Sequence, residues 1–450
     1  MAGGQWISQN KKIPGVYINT KSSGNLVVSV GEKGVVAICK ALSWGPVGVV
    51  SKYIPGEDPT PIIGGNLLSD DALFIREMTK GSDSTPGPIA ILIYRPEGTS
   101  GVKATATVGA LTATAKYEGA RGNDITITVV ADPDAAGYYT ISTIVDGSVV
   151  GEVYLNDLDN LVSNDWVDLS GTGTTITATA GTALTGGVDP TVSGTDHAAF
   201  MTAIEPYKFD IVCYDGSDAA IAAAYASFVK RVSEENGDKC QAVMGGASAP
   251  NSEWVINLLN GVTLADGTAL TAQTATYWVA GAEAGASYNK SLTYAQYPGA
   301  TAANPKKTNA EIVAGVEAGQ IVFIDDFDTV KICTDINSLT SFTVDKGQEY
   351  SKNRVMRVLN QICNDVYKQF SLYYIGKVDN NDTGRKLMKG WIVGYLNEMQ
   401  ANNGIQNFTA DDVEIFQGNS LDSVVINIAI MPVDSVEKIY ITVTVSTTEE

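Results

Sequence analysis

The residue types that do chemistry are scarce in this chain. It holds one histidine, His197, in "GTDHAAF". A Ser–His–Asp or Cys–His arrangement needs an imidazole between a nucleophile and a carboxylate. No nucleophile-elbow sequence lies near His197, and its place in the first turn of an expected helix reads as a surface or cap-adjacent residue. One histidine also rules out a histidine-rich metal site and leaves only carboxylate ligands. The densest carboxylate run, Asp325, Asp326 and Asp328 in "IDDFDTV", lacks the spaced loop and closing glutamate of an EF-hand and reads as a turn after "GQIVFI". There is no GxxxxGK[ST] sequence to cradle a phosphate. "YEGARGND" sets two glycines beside Arg121, which suits an anion-binding loop or a tight turn between strands equally. The five cysteines, Cys39, Cys213, Cys240, Cys333 and Cys363, are odd in number and lack CxxC spacing, so they read as reduced core thiols. The expectation is no catalytic residue, no metal and no cofactor.

One charge feature stands out. Lys346, Lys352, Arg354, Arg357, Lys368, Lys377, Arg385, Lys386 and Lys389 face only Glu349, Asp365, Asp379 and Asp382, in a chain whose net charge is −20. Such a segment suits a solvated helix face or an acidic partner approached by charge complementarity. The acidic whole argues against nucleic-acid binding through a broad basic surface. The opening "MAGGQWISQNKKIPG" is polar and glycine-rich, so no secretory leader is expected there. No apolar run approaches the roughly 18 residues of a membrane helix, and direct membrane insertion is not expected. Synthesis and folding in a cytoplasm follow.

The elements that must position these residues fall into regimes. At 450 residues the chain exceeds one ordinary core. From residue 24 to 98, "GVVAICKAL" and "PIAILIYRP" read as buried strands around a helix, "LLSDDALFIREMTK", opened by Ser69. From 99 to 189, short alternating strands such as "DITITVVAD" and "TTITATAG" predict an antiparallel β-sandwich, in which Lys103, Lys116 and Arg121 oppose eleven carboxylates. From 190 to 345, α/β alternation resumes. "TDHAAFMTAIEPY" reads as a helix capped by Thr195 or Asp196, "FDIVCYDG" and "KCQAVMGG" as strands, and "SDAAIAAAYASFVKRVSEEN" and "NSEWVINLLNG" as helices. This pattern predicts a mostly parallel sheet covered on both faces, with the sandwich inserted into it. From 346 to 436 come two long helices and the strand "SVVINIAIMPV". The last segment, 437–450, is "EKIYITVTVSTTEE", where Ile439, Ile441, Val443 and Val445 alternate with Tyr440, Thr442 and Thr444. That is the period of a half-buried strand, and unpaired strands seek partners.

Taken in order, "IPGVYINTKSSG", "GEKGVVAICKALSWGP", "KYEGARGNDITITV", "AFMTAIEPYKFDIVCYDG", "AGQIVFIDDFDTVKICTDINSLTSFTVDKGQEYSKNRVMRVLNQI" and "FTADDVEIFQGNSLDSVVINIAIMPVDSVEKIYITVTV" resemble the tail sheath proteins of contractile phage tails and phage-tail-like bacteriocins. The resemblance covers nearly the whole chain. It implies a subtilisin-like α/β core that is not a protease, an inserted β-sandwich, a C-terminal α+β domain facing an inner tube, and N- and C-terminal linking arms (1–23 and 437–450). It implies a structural subunit of stacked hexameric rings in a helical sheath. That sheath would contract to drive the tube through a target envelope, with the tube protein, baseplate and terminator or collar proteins as partners. Such a sheath is assembled in the bacterial host cytoplasm and ends as a virion tail or a released particle. The arm strands would be Val16, Tyr17, Ile18 and Asn19 at one end and Ile439, Tyr440, Ile441, Thr442, Val443, Thr444 and Val445 at the other. Lys352, Arg354, Arg357, Arg385, Lys386 and Lys389 become candidate tube contacts. An extracellular surface-layer or binding protein, suggested by the acidic Thr-rich sandwich, is the competing expectation. A hydrolase on the α/β domain is disfavoured by the single histidine.

Overall fold

The computed structural model describes residues 34–246 and 250–445, with the backbone of two short strands, Gly3–Gly4 and Val16–Tyr17, which pair in parallel. Ile18 and Asn19 lie outside the described residues. The chain divides into two compact units, residues 32–367 with 433–450, and residues 1–31 with 368–432.

The larger unit opens with β1 (Val35–Cys39), β2 (Val50–Tyr53) and β3 (Ala90–Tyr94), with helix α1 (Leu73–Thr79) between β2 and β3. Ser69 stands at the N-cap position of a 3-10 turn, Asp70–Ala72, ahead of α1, but its hydroxyl donates to the Asn66 carbonyl rather than capping the turn. The sandwich follows as β4 (Thr105–Val108), β5 (Leu111–Ala115), β6 (Thr126–Ala131), β7 (Tyr139–Val145), β8 (Ser148–Leu155), β9 (Val167–Ser170) and β10 (Thr179–Ala183). Its two sheets run β8-β7-β6-β10 and β9-β5-β4, both antiparallel. Alternation carries them: Ile127 and Val129 on β6 and Leu111, Ala113 and Ala115 on β5 are buried between the sheets.

The chain then returns with α2 (Gly194–Ile204), β11 (Ile211–Cys213), α3 (Ala219–Arg231), β12 (Gln241–Gly245), β13 (Val255–Leu258), β14 (Gly261–Leu264), β15 (Ala269–Leu270), α4 (Ala272–Gly285), β16 (Ala300–Asn304), α5 (Asn309–Glu317), β17 (Gln320–Ile321) and the hairpin β18 (Phe323–Asp326) with β19 (Thr329–Ile332). The main sheet has the order β17-β13-β12-β11-β1-β3-β2, parallel except for β2. Strands from both sides of the sandwich segment therefore share one sheet. Along β1, Val36 and Ile38 face the layer of α1 and α4, while Ala37 and Cys39 face α2 and α3. Both faces are covered, so these strands read as unbroken apolar runs.

Two helix expectations change. α2 is capped by Ser193, whose side chain forms a reciprocal capping box with Asp196, rather than by Thr195 or Asp196. "NSEWVINLLNG" is not a helix. Val255, Ile256 and Leu258 are buried on both faces of the sheet, and β13 bonds β12 on one side and β17 on the other. α4 crosses α1 with backbone nearly touching: a Cβ on Gly281 would stand 1.9 Å from the Met78 carbonyl oxygen. Gly281→Ala must push the helices apart and is expected to cost roughly 1–3 kcal/mol, read as a lower thermal midpoint.

Helix α6 (Asn353–Tyr373) starts in the larger unit. The smaller unit then holds α7 (Asp382–Ala401), capped by Asn381, and the strands β20 (Ile405–Gln406), β21 (Val413–Gln417), β22 (Val424–Ile428) and β23 (Met431–Pro432). β21 and β22 form an antiparallel hairpin, and β20 pairs with β23.

Candidate assembly interface

The α/β sheet offers the usual place for chemistry, the crevice beyond the carboxyl ends of the strands where the strand order reverses. Here that point lies between β1 and β11. Lys40, just after β1, and Asp215, just after β11, meet Tyr277 of α4 there. Lys40 Nζ is 2.6 Å from both Asp215 Oδ2 and Tyr277 Oη, and the Tyr277 hydroxyl donates to Asp215 at 2.5 Å. Burial, with Asp215 beside it, pushes the Tyr277 phenol above its ordinary pKa. The three groups bond to one another at the crevice, with Lys40 and Asp215 partly exposed. His197 Nδ1 is 2.9 Å from the Tyr225 hydroxyl, and its ring packs edge-on against Tyr214 and Tyr225. Burial lowers its pKa, and the ring serves as packing within an aromatic cluster rather than as a surface residue. Among the described residues no group of three His, Cys, Asp or Glu side chains is placed to hold a metal ion. None of the five cysteines forms a disulfide; Cys39, Cys213 and Cys240 are buried, while Cys333 is half-buried and Cys363 exposed, so not every thiol is a core residue.

The "YEGARGND" loop is a docking joint. Arg121 Nε donates to the Gly64 carbonyl oxygen, and its remaining nitrogens bind Asp124 and Asp146. Gly119 has φ +129°, and a Cβ there would meet the Ser43 carbonyl at 2.0 Å, so the glycine lets the sandwich sit against the α/β layers. Arg95 reinforces the joint, donating to the carbonyls of Leu42, Gly45 and Glu118.

The basic segment dissolves into separate roles. Arg357 is 3 % exposed and cannot meet a partner protein. Its guanidinium donates to Glu283, to Asp335 at 2.5 Å and to the Lys290 carbonyl at 2.8 Å. That placement corrects the expectation of a tube contact. Lys352 pairs with Glu437 and is mostly covered. Arg354 is half-buried, and burial lowers its pKa against the raising effect of Asp434. Arg385 is tied within its own loop, to Asp382 at 2.5 Å and the Asn380 side chain at 2.9 Å. Lys386 is exposed and Lys389 half-exposed, and neither ion-pairs with another described residue.

The closing segment is where the larger unit opens outward. Glu437 accepts hydrogen bonds from Thr293 Oγ1 at 2.7 Å and from Lys352, and Thr293 Oγ1 in turn accepts from the Asp335 backbone N–H at 2.9 Å. After that anchor the contacts stop. Ile439, Tyr440, Ile441, Val443 and Val445 are 74–90 % exposed, and residues 438–445 form no ladder with any described strand. The alternating strand expected over 439–445 is not formed within this chain, where residues 438–445 carry no secondary structure, and its anchor left no signal, because Glu437 is one acidic residue among many.

The polar groups at the crevice thus bond to one another, the arginines tie the sandwich down, and an exposed apolar segment follows Glu437. Comparison with known proteins gives the family. The phage tail sheath beta-sandwich domain matches residues 99–189, the phage tail sheath protein central domain residues 191–338, and the phage tail sheath C-terminal domain residues 345–446. The crystal structure of the sheath tail protein from Desulfitobacterium hafniense is 40 % identical, with a TM-score of 0.85 over 95 % of this chain and 99 % of that one. The phage-like element PBSX protein XkdK of Bacillus subtilis (strain 168) is 31 % identical over 99 % of this chain and 100 % of its own length. The helical sheath of the anti-feeding prophage in its contracted state shares the fold at 13 % identity, with a TM-score of 0.56 over 96 % of this chain and 99 % of that one. The chain belongs to the phage tail sheath protein family.

Proposed function

We propose that this chain is a sheath subunit that stacks as hexameric rings around an inner tube and contracts to drive that tube through a target envelope. The observation that carries the reading is the anchored segment after Glu437, whose apolar residues alternate in sequence, are exposed and form no ladder within the chain, as suits a segment that becomes a strand in another sheet. The receiving edge is the β21–β22 hairpin, which has no further strand among the described residues. Arm strands at both ends (Val16–Asn19 and Ile439–Val445) then link neighbouring copies while the units between them rotate. The α/β core plays the part of a subtilisin-like scaffold with no enzymatic role, its crevice groups Lys40, Asp215 and Tyr277 being engaged with one another. Contraction draws on the difference between two packings of many copies rather than on a nucleotide. Assembly takes place in the host cytoplasm, with baseplate and terminator proteins at the two ends and no nucleic acid bound.

Lys386 and Lys389 are the surviving candidates for contact with an acidic tube, with Arg354 and Arg385 in supporting positions. Lys386→Glu with Lys389→Glu is expected to weaken sheath assembly on purified tubes, and more so at low salt because exposed charges act within about 10 Å at 0.1 M. Negative-stain electron microscopy of the chain mixed with tubes reads this directly. Striated sheaths of normal length from the double variant refute the tube contact. Discrete monomers from the unaltered chain under all conditions refute the sheath reading.

A further inference from the structure

We propose that the tip of the β18–β19 hairpin is an assembly knob, with Phe327 as its anchor and a second copy of this chain as its partner; the proposal rests on the sheath reading. Asp326 pairs with Thr329, so the loop is the two residues Phe327 and Asp328, at φ +43° and +61°. A two-residue loop with both φ positive is built best from Asn-Gly, and a bulky side chain there is an outlier. Phe327 is also 92 % exposed. The tip is thus strained and apolar in water at once, and folding gains nothing from either. Such a combination points to a contact made elsewhere.

The rest of the hairpin is a rigid post. Phe323, Val330 and Ile332 are fully buried at its base. Asp325 accepts from the Ala303 N–H at 2.8 Å and pairs with Lys306 at 3.0 Å, while Asp326 pairs with Lys331 at 2.6 Å. Two of the three carboxylates are neutralised at home. Asp328, exposed, has no ion-pair partner among the described residues. The knob therefore presents one aromatic ring beside one negative charge.

Its complement is an apolar spot with a cation. The end of α6 and the turn after it offer one: Lys368 and Leu372 stand four residues apart on the helix, Ile375 follows in the turn, and all three are exposed. An acidic tube would repel Asp328, whereas this spot attracts it. A knob on one surface and a socket on another make a head-to-tail contact, which propagates into rings or helices rather than closing a pair.

Phe327→Asn tests this, because asparagine tolerates positive φ. Its thermal midpoint should match or exceed the unaltered chain, while each contact weakens by about tenfold to a hundredfold and sheath assembly fails at concentrations that suffice for the unaltered chain. Lys368→Glu should reproduce that loss. A photo-crosslinking benzoylphenylalanine at position 327 should link to the Lys368–Ile375 stretch of a second copy. Normal assembly by Phe327→Asn, or crosslinks to the tube protein, overturns the knob and leaves the sheath reading intact. An unaltered chain that never polymerises overturns both.

Discussion

A chain stopped after Lys438 is expected to melt at the same temperature as the full chain and to form no ordered tubes. Residues 439–445 make no ladder and bury almost nothing within the chain, so their removal takes no folding energy away. Glu437 stays, and with it the hydrogen bonds to Thr293 and Lys352. What disappears is the strand that would enter a neighbouring sheet. Ile439, Ile441, Val443 and Val445 each stand to gain about 1.5–3 kcal/mol if fully buried there, and the loss repeats at every copy in the array. Circular dichroism and thermal melting report the fold, and electron microscopy reports the tubes. Ordered tubes from the shortened chain would mean that the strand is no connector. The companion variant Glu437→Gln separates anchor from arm. It keeps the strand but loosens its root, so it is expected to give tubes of irregular length and faster proteolysis at the C-terminal end.

Much of the architecture was legible because strands buried on both faces leave apolar runs between glycine and proline turns. "VVAIC" and "AILIY" are such runs, and the sandwich shows plain alternation. "EWVINLLN" deceived for the same reason: a short apolar run fits both periods, and only its neighbours β12 and β17 decide. α4 left no signal at all. Its sequence of Ala, Thr and Gly lacks an amphipathic stripe because it is buried nearly all round, from Ala275 to Ala284. Counting charges along 346–389 failed for a different reason: charge number carries no information on depth. A spacing did hold that information, since Asn353, Arg357 and Gln361 fall every four residues on one face of α6, and all are buried. A buried polar stripe on a helix means paired partners across the interface.

That stripe leads to the second large effect. Arg357 sits between two carboxyls, Glu283 of α4 and Asp335, in a site closed to solvent. Asn353 Nδ2 donates to Asp335 at 2.8 Å, and the Leu292 N–H donates to the same carboxylate at 2.9 Å. For Asp335, burial pushes the pKa up, but the Arg357 charge and the hydrogen bonds from Glu283, the Leu292 N–H and Arg357 outweigh it and hold the carboxyl below its usual range. For Glu283, burial and the neighbouring Asp335 charge exceed the pull of Arg357 and push it well above the glutamate range. We predict that the two coupled acids share one proton, held on Glu283 beside an anionic Asp335. Asp335→Asn leaves the Arg357 charge buried without its counterion and is expected to cost about 3–5 kcal/mol. Glu283→Gln replaces an acid that is already neutral and is expected to stay within about 1 kcal/mol. The pH dependence separates them further. A carboxyl whose folded pKa is raised contributes stability that is complete below the ordinary glutamate value, about 4.3, and is lost as pH climbs through the raised one. The unaltered chain should therefore lose stability on the alkaline side, and Glu283→Gln should flatten that slope. Asp335 acts with the opposite sign, its contribution vanishing only as pH falls through its lowered value. Denaturant melts of the three proteins from pH 5 to 9 decide the matter. Equal costs for the two substitutions, or an unchanged alkaline slope in Glu283→Gln, would assign the proton to the wrong carboxyl.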